Sequence, residues 1–110
     1  MDETAPRLVR FDRGSRSNVR ILSGPPESVS MRAGLVALDP GNSVGMHCTD
    51  EFEELIIVLE GEGQATVEGG GILDIHGGDA VYVPPRTQHN ICSSGKEQLR
   101  YIYVVAKARE

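Results

Sequence analysis

Short apolar segments separated by Gly, Pro, Asn and Asp recur along the whole chain, and none carries apolar residues at helical spacing for long enough to make a helix. The segments predict about ten short strands, among them 8–11, 19–22, 31–38, 54–59, 64–68, 72–75, 80–83, 89–92 and 99–105. Asp39-Pro40-Gly41-Asn42 closes the third, because Pro presets φ and Gly accepts a positive φ. Ala65 and Val67 alternate with polar neighbours, as in a strand with one face in a core and the other in water. The run from Glu54 to Leu59 is instead apolar on both parities, which predicts cover on both faces: the core inside, another sheet or subunit outside. Many short strands with closely spaced turns predict an all-β sandwich or barrel.

The 110 residues suffice for one core and not for two. A single domain over 1–110 is expected, with a flexible start at 1–6 and a charged tail at 107–110 that frays. Trp is absent and aromatics make up 5% of the chain, so the core is aliphatic. A net charge of −5 offers no basic stripe for phosphates, which argues against nucleic acid and anionic membrane surfaces and leaves a small molecule as the expected ligand. No stretch approaches the roughly 20 apolar residues of a membrane span. The opening Met1-Asp2-Glu3-Thr4-Ala5-Pro6 is acidic where a secretory signal is basic, and no apolar run follows it. Cys48 and Cys92 are too few for a disulfide framework and read as small buried hydrophobes pointing away from any cavity. The expectation is a cytoplasmic protein.

His76 adjoins Gly77-Gly78-Asp79 and reads as a surface turn residue. His47 and His89 fall in segments dense with polar groups, Met46-His47-Cys48-Thr49-Asp50-Glu51-Phe52-Glu53-Glu54 and Pro84-Pro85-Arg86-Thr87-Gln88-His89-Asn90. They lie 42 positions apart, so only a fold brings them together. Gly41, His47, Glu54 and Gly61 resemble the first motif of the cupin family, G-x5-H-x-H-x(3,4)-E-x6-G. Gly78, Pro84 and His89 resemble its second motif, G-x5-P-x-G-x2-H-x3-N. Together the matches run, in the family's order, over roughly half the chain. Three positions depart from the pattern: Thr49 stands at the second His, Arg86 at the Gly after Pro-x, and Ser93 at the final Asn.

The resemblance implies an all-β, single-domain jelly-roll barrel in which His47, Glu54 and His89 point inward and hold one divalent ion, Fe, Mn, Ni or Zn. Two neutral imidazoles and a carboxylate leave coordination positions open for substrate, water or oxygen, as a catalytic ion requires. Thr49 is a weak ligand, because its hydroxyl stays protonated. His47 and Glu54 have opposite parity, whereas His47 and Glu53 share one, so Glu54 reaches the site only if the chain turns or bulges across Thr49-Asp50-Glu51. The six-residue gap to Gly61 favours Glu54, with Glu53 and then Glu51 as its substitutes and Thr49 as an additional candidate ligand. Arg86, near the expected cavity mouth, is a candidate grip for a substrate carboxylate or phosphate. Tyr82, Tyr101 and Tyr103 read as core or pocket wall, Tyr82 also as a candidate substrate contact.

The functional expectation is a metal-dependent enzyme acting on a small polar or acidic molecule, for which the resemblance implies isomerase, lyase, hydrolase or oxygenase chemistry. The alternative is a binding or sensing module without turnover, with Thr49 the mark of a site that has lost its chemistry. A third reading is docking through the apolar face around Leu55, Ile57 and Leu59, where a homodimer is favoured.

Overall fold

The computed structural model describes residues 4–108, and among them there is no helix. Nine strands follow in order: β1 (Val19–Ser23), β2 (Arg32–Leu38), β3 (His47–Cys48), β4 (Phe52–Glu60), β5 (Glu62–Val67), β6 (Gly71–His76), β7 (Ala80–Val83), β8 (Gln88–Ser93) and β9 (Leu99–Lys107). They make two antiparallel sheets, β1-β2-β9-β4-β7 and β3-β8-β5-β6. The architecture is the all-β jelly roll that the motifs implied.

The side-chain period of two decides what fills the space between the sheets. On β4, Ile56 and Val58 turn inward, while Leu55, Ile57 and Leu59 turn outward and stay about 40% exposed. Ala65 and Val67 of β5, Ile75 of β6, Val81 and Val83 of β7, Ile91 of β8, and Leu99 and Tyr101 of β9 complete the core. Complete burial of a side chain such as Ile56, 1% exposed, contributes about 2–3 kcal/mol. Among the described residues no second sheet covers the outer face of the 54–59 run, and Leu55, Ile57 and Leu59 lie on the chain's apolar exterior.

Two expectations change. Residues 8–11 form no strand: Leu8 is 72% exposed, and the segment has no ladder partner to repay the cost of extending it. An Arg100 side chain, 5% exposed on β9, holds the next stretch instead, donating from Nε to the Ser15 carbonyl and from a terminal nitrogen to the Arg13 carbonyl. Its other terminal nitrogen meets Glu60 at 3.0 Å, and Arg16 binds the same carboxylate. At the other end β9 runs through Lys107, whose N–H donates to Ser30 and whose ammonium lies 3.6 Å from Glu51. The strand thus enters the segment read as a fraying tail; residues 1–3 and 109–110 lie outside the described residues.

The turns that aim the site follow from the sequence. At Asp39-Pro40-Gly41-Asn42 the Asn42 N–H donates to the Asp39 carbonyl at 3.0 Å and Gly41 has φ 85°, the type II pattern of Pro then Gly. Gly61, with φ 90°, sits so close to the 98–99 backbone that a Cβ there would lie 2.3 Å from the Gln98 carbonyl oxygen. No other residue fits where β4 turns into β5.

Candidate metal centre

The site is assembled from both sheets. His47 on β3 and His89 on β8 are direct register partners, which sets their rings side by side with centroids 4.1 Å apart. Glu54 arrives from the opposite sheet, on β4. The parity conflict is resolved by a turn rather than a bulge: after β3 the Phe52 N–H donates to the Thr49 carbonyl at 3.0 Å, and Asp50 takes φ 55°. The chain crosses between sheets there, so the seven-residue offset no longer counts along one straight strand. Asp tolerates that left-handed conformation better than most residues. His47, Glu54 and His89 each offer a ligand atom within 4.8 Å of the others.

Backbone carbonyls prepare both rings. Nδ1 of His47 lies 2.8 Å from the Gly45 oxygen, and Nδ1 of His89 lies 3.1 Å from the Thr87 oxygen. A carbonyl only accepts, so both Nδ1 atoms carry hydrogen and each ring offers Nε2 for coordination. This is the orienting partner that metal-ligating imidazoles ordinarily have. Nε2 of His89, on a ring 1% exposed, meets Oε1 of Glu54 at 2.8 Å. That hydrogen bond to the carboxylate holds the His89 imidazole above its usual pKa against the opposing effect of burial, with the Thr87 carbonyl adding to the rise. A proton and a cation therefore compete for the same two atoms. The donor set fits a divalent first-row ion: oriented imidazole nitrogens, a carboxylate whose side chain is 11% exposed, and an open side toward solvent at the exposed His47.

A cavity of about 630 Å³ opens beside the three side chains. That is the size of a small-ligand pocket. Val36, Leu38, Ile56, Ile91 and Val105 make its apolar wall, and Tyr101, Tyr103 and Arg32 add polar groups. Burial first, then the charge of Glu54 and the proximity of Tyr103, hold the Tyr101 phenol well above its usual value, so it remains a neutral donor.

The other sequence candidates fall elsewhere. The Thr49 hydroxyl donates to the Pro84 carbonyl at 2.7 Å and accepts from the Thr87 N–H at 3.0 Å, so it ties down the loop that delivers His89. Glu53 points to the outer face and accepts from the Tyr82 hydroxyl at 2.8 Å; Tyr82 itself is 57% exposed and outside the cavity wall. Glu51 is exposed in the turn, 3.6 Å from Lys107. Arg86 is exposed and absent from the cavity wall, with φ 53° where the family motif has Gly, and its N–H donates to the Asp50 carbonyl at 2.7 Å. His76 lies apart, with its side chain 71% exposed beside Asp79. Cys48 lines the cavity, against the expectation for it, because the chain is already turning there; the Asp50 N–H donates to its sulfur. It is not beside Cys92: Cys48 pairs with Gln88 and Cys92 with Gln64. Arg32 was missed, although a signal existed, since it shares parity with Val36 and Leu38 in a segment already read as a strand.

A family model described as "Cupin domain" matches residues 34–105. Among solved structures, a cupin 2 conserved-barrel domain protein from Salinispora arenicola is similar at 24% identity and TM-score 0.73, over 94% of this chain and 91% of that one. A predicted oxalate decarboxylase from Thermotoga maritima is similar at 21% identity and TM-score 0.70, over 93% and 100%. A cupin domain from Schizosaccharomyces pombe is similar at 21% identity and TM-score 0.74 over 83% of this chain, which spans 64% of that one. No curated protein matches.

Proposed function

The chain belongs to the cupin domain family, and from that premise we propose that it holds one divalent first-row ion through Nε2 of His47, Nε2 of His89 and the carboxylate of Glu54, and acts with it on a small polar or acidic metabolite. The observation that carries the reading is the meeting of those three ligand atoms, from opposite sheets, within 4.8 Å. When bound, the ion supplies Lewis acidity and open coordination positions. The chain's own groups do the rest. The carbonyls of Gly45 and Thr87 hold the two rings in the tautomer that frees Nε2. Glu54 offsets positive charge inside the barrel, the aliphatic wall lowers the polarity on the inner side, and the Tyr101 hydroxyl stays protonated as a donor.

Metal analysis of freshly purified, tag-free protein tests this. One ion per chain is expected, falling at least tenfold in His47→Ala, Glu54→Gln and His89→Ala with the amide spectrum of a folded chain retained. A wild type without metal, or variants that keep it, would refute the proposal. A second reading, ligand binding without turnover, is favoured by one observation: the position of the family's second motif imidazole is filled by a hydroxyl committed to the backbone. A metal-loaded protein that binds small acids and converts none of them would establish that reading instead.

A further inference from the structure

The cavity wall contains one permanent cation. Arg32 is the single Lys or Arg among the lining residues, against two carboxylates, Asp50 and Glu54. It opens β2 on the parity of Val36 and Leu38, which also line the cavity, so its side chain leaves the inner face of the sheet. Its register partner on β9 is Val105, and Val105 is paired on its other side with Glu54. Arg32, Val105 and Glu54 thus form one row across three adjacent strands, which places the Cα atoms of Arg32 and Glu54 roughly 10 Å apart. Arg32 is exposed, with its stem beside Gly24, and it stands at the cavity's rim while Glu54 stands inside, so a molecule of a few carbon atoms can reach from one to the other.

The guanidinium is also set in place. Its central carbon lies 5.1 Å from the centroid of the Phe52 ring, and Phe52 lines the cavity two residues before Glu54. A cation–π contact with the ring spends no N–H donor on an oxygen, which leaves the fork of donors available. Two other arginines have donors occupied, since Arg100 and Arg16 both serve Glu60. Among the described residues no oxygen accepts a hydrogen bond from Arg32, and no carboxylate forms an ion pair with it. A cation at a cavity mouth with its fork uncommitted is a recognition element, and a planar fork matches a carboxylate bidentately. A lone monocation beside two acidic groups suits a monoanionic carboxylate end better than a phosphate dianion.

We propose that Arg32 is the specificity residue of this cavity, gripping a carboxylate of a small acidic ligand whose other end lies at His47, Glu54 and His89. The proposal rests on the metal reading for that other end only.

The test uses the full chain loaded with diamagnetic Zn²⁺, with succinate as the acid and succinamide as its neutral counterpart. In ¹⁵N spectra the Arg32 Nε–H resonance is expected to shift to saturation with succinate and to stay in place with succinamide. By calorimetry Arg32→Gln should weaken succinate binding roughly tenfold or more, with Zn²⁺ stoichiometry unchanged, and Arg32→Lys should recover part of the loss. Equal succinate affinity in Arg32→Gln and wild type, or equal response to succinate and succinamide, would overturn the proposal. A wild type that takes up no Zn²⁺ refutes the metal reading alone. The same titration of the metal-free chain then decides Arg32, a saturating succinate-specific shift supporting it and no shift overturning it.

Discussion

Thr49 gives the sharpest test of how this site is held together. Thr49→Val removes one hydroxyl and keeps the shape of the side chain. That hydroxyl bridges the Pro84 carbonyl, at 2.7 Å, and the Thr87 N–H, at 3.0 Å. The two losses differ in kind. Pro84 is exposed, so its carbonyl recruits water and forfeits only the net value of one bond, about 1 kcal/mol. Thr87 is 6% exposed, and an N–H left unpaired there costs about 1–3 kcal/mol. The sum is near 3 kcal/mol, a large part of the stability of a small domain. It corresponds to a fall of about 13 °C in Tm for a chain of this length. The assay is urea unfolding of metal-free protein, read as a shift in midpoint at unchanged slope. Thr49→Ser keeps the hydroxyl and drops a methyl, so it should stay within about 1 kcal/mol of wild type. If Thr49→Val falls by less than about 0.5 kcal/mol, or Thr49→Ser falls as far as Thr49→Val, the bridge is not what fixes the 84–87 loop. The same variants separate tether from ligand, since both should still take up one ion per chain.

Arg86 holds φ 53° at the motif's Gly position, so Arg86→Gly should be more stable than Arg86→Ala by about 1 kcal/mol, both variants lacking the side chain; equality in paired urea melts would remove the backbone argument. Hydrogen bonds and charge from Arg100 and Arg16 hold the Glu60 carboxyl below the usual carboxylate range. A folded-state pKa below the unfolded one stabilises the native chain above about pH 4.5 and stops doing so as the pH falls through the folded value. Glu60→Gln should therefore be less stable than wild type at pH 7 and converge on it under acid, and a gap that is constant with pH would contradict the ion cluster. For the outer face of β4 we propose self-association: Leu55, Ile57 and Tyr82 leave it 37–57% exposed, so sedimentation should show a dimer that Ile57→Asp reduces to a monomer, and a wild type that sediments as a strict monomer would end that proposal.

What the sequence settled by itself was local. The turn at 39–42, the alternation of 64–68 and the absence of any helical period are set by φ preferences and by the two-residue repeat, which act between near neighbours. The resemblance to the cupin motifs pointed to His47, Glu54 and His89, with Glu53 and Glu51 kept as substitutes for the carboxylate. Tertiary structure decided the rest. Whether Glu53 or Glu54 faces the cavity depends on a crossing between sheets at Asp50, and no count of parity along one strand contains that crossing. The work of Thr49 depends on a partner loop 35 residues away, and the prominence of Arg32 depends on β9 lying between β2 and β4. Residues 8–11 show the reverse case: an apolar pattern fit for a strand stays outside both ladders, because a strand exists only where another edge accepts its hydrogen bonds. Pairing between distant segments is a property of the folded chain, and it is pairing that turned scattered polar residues into one site.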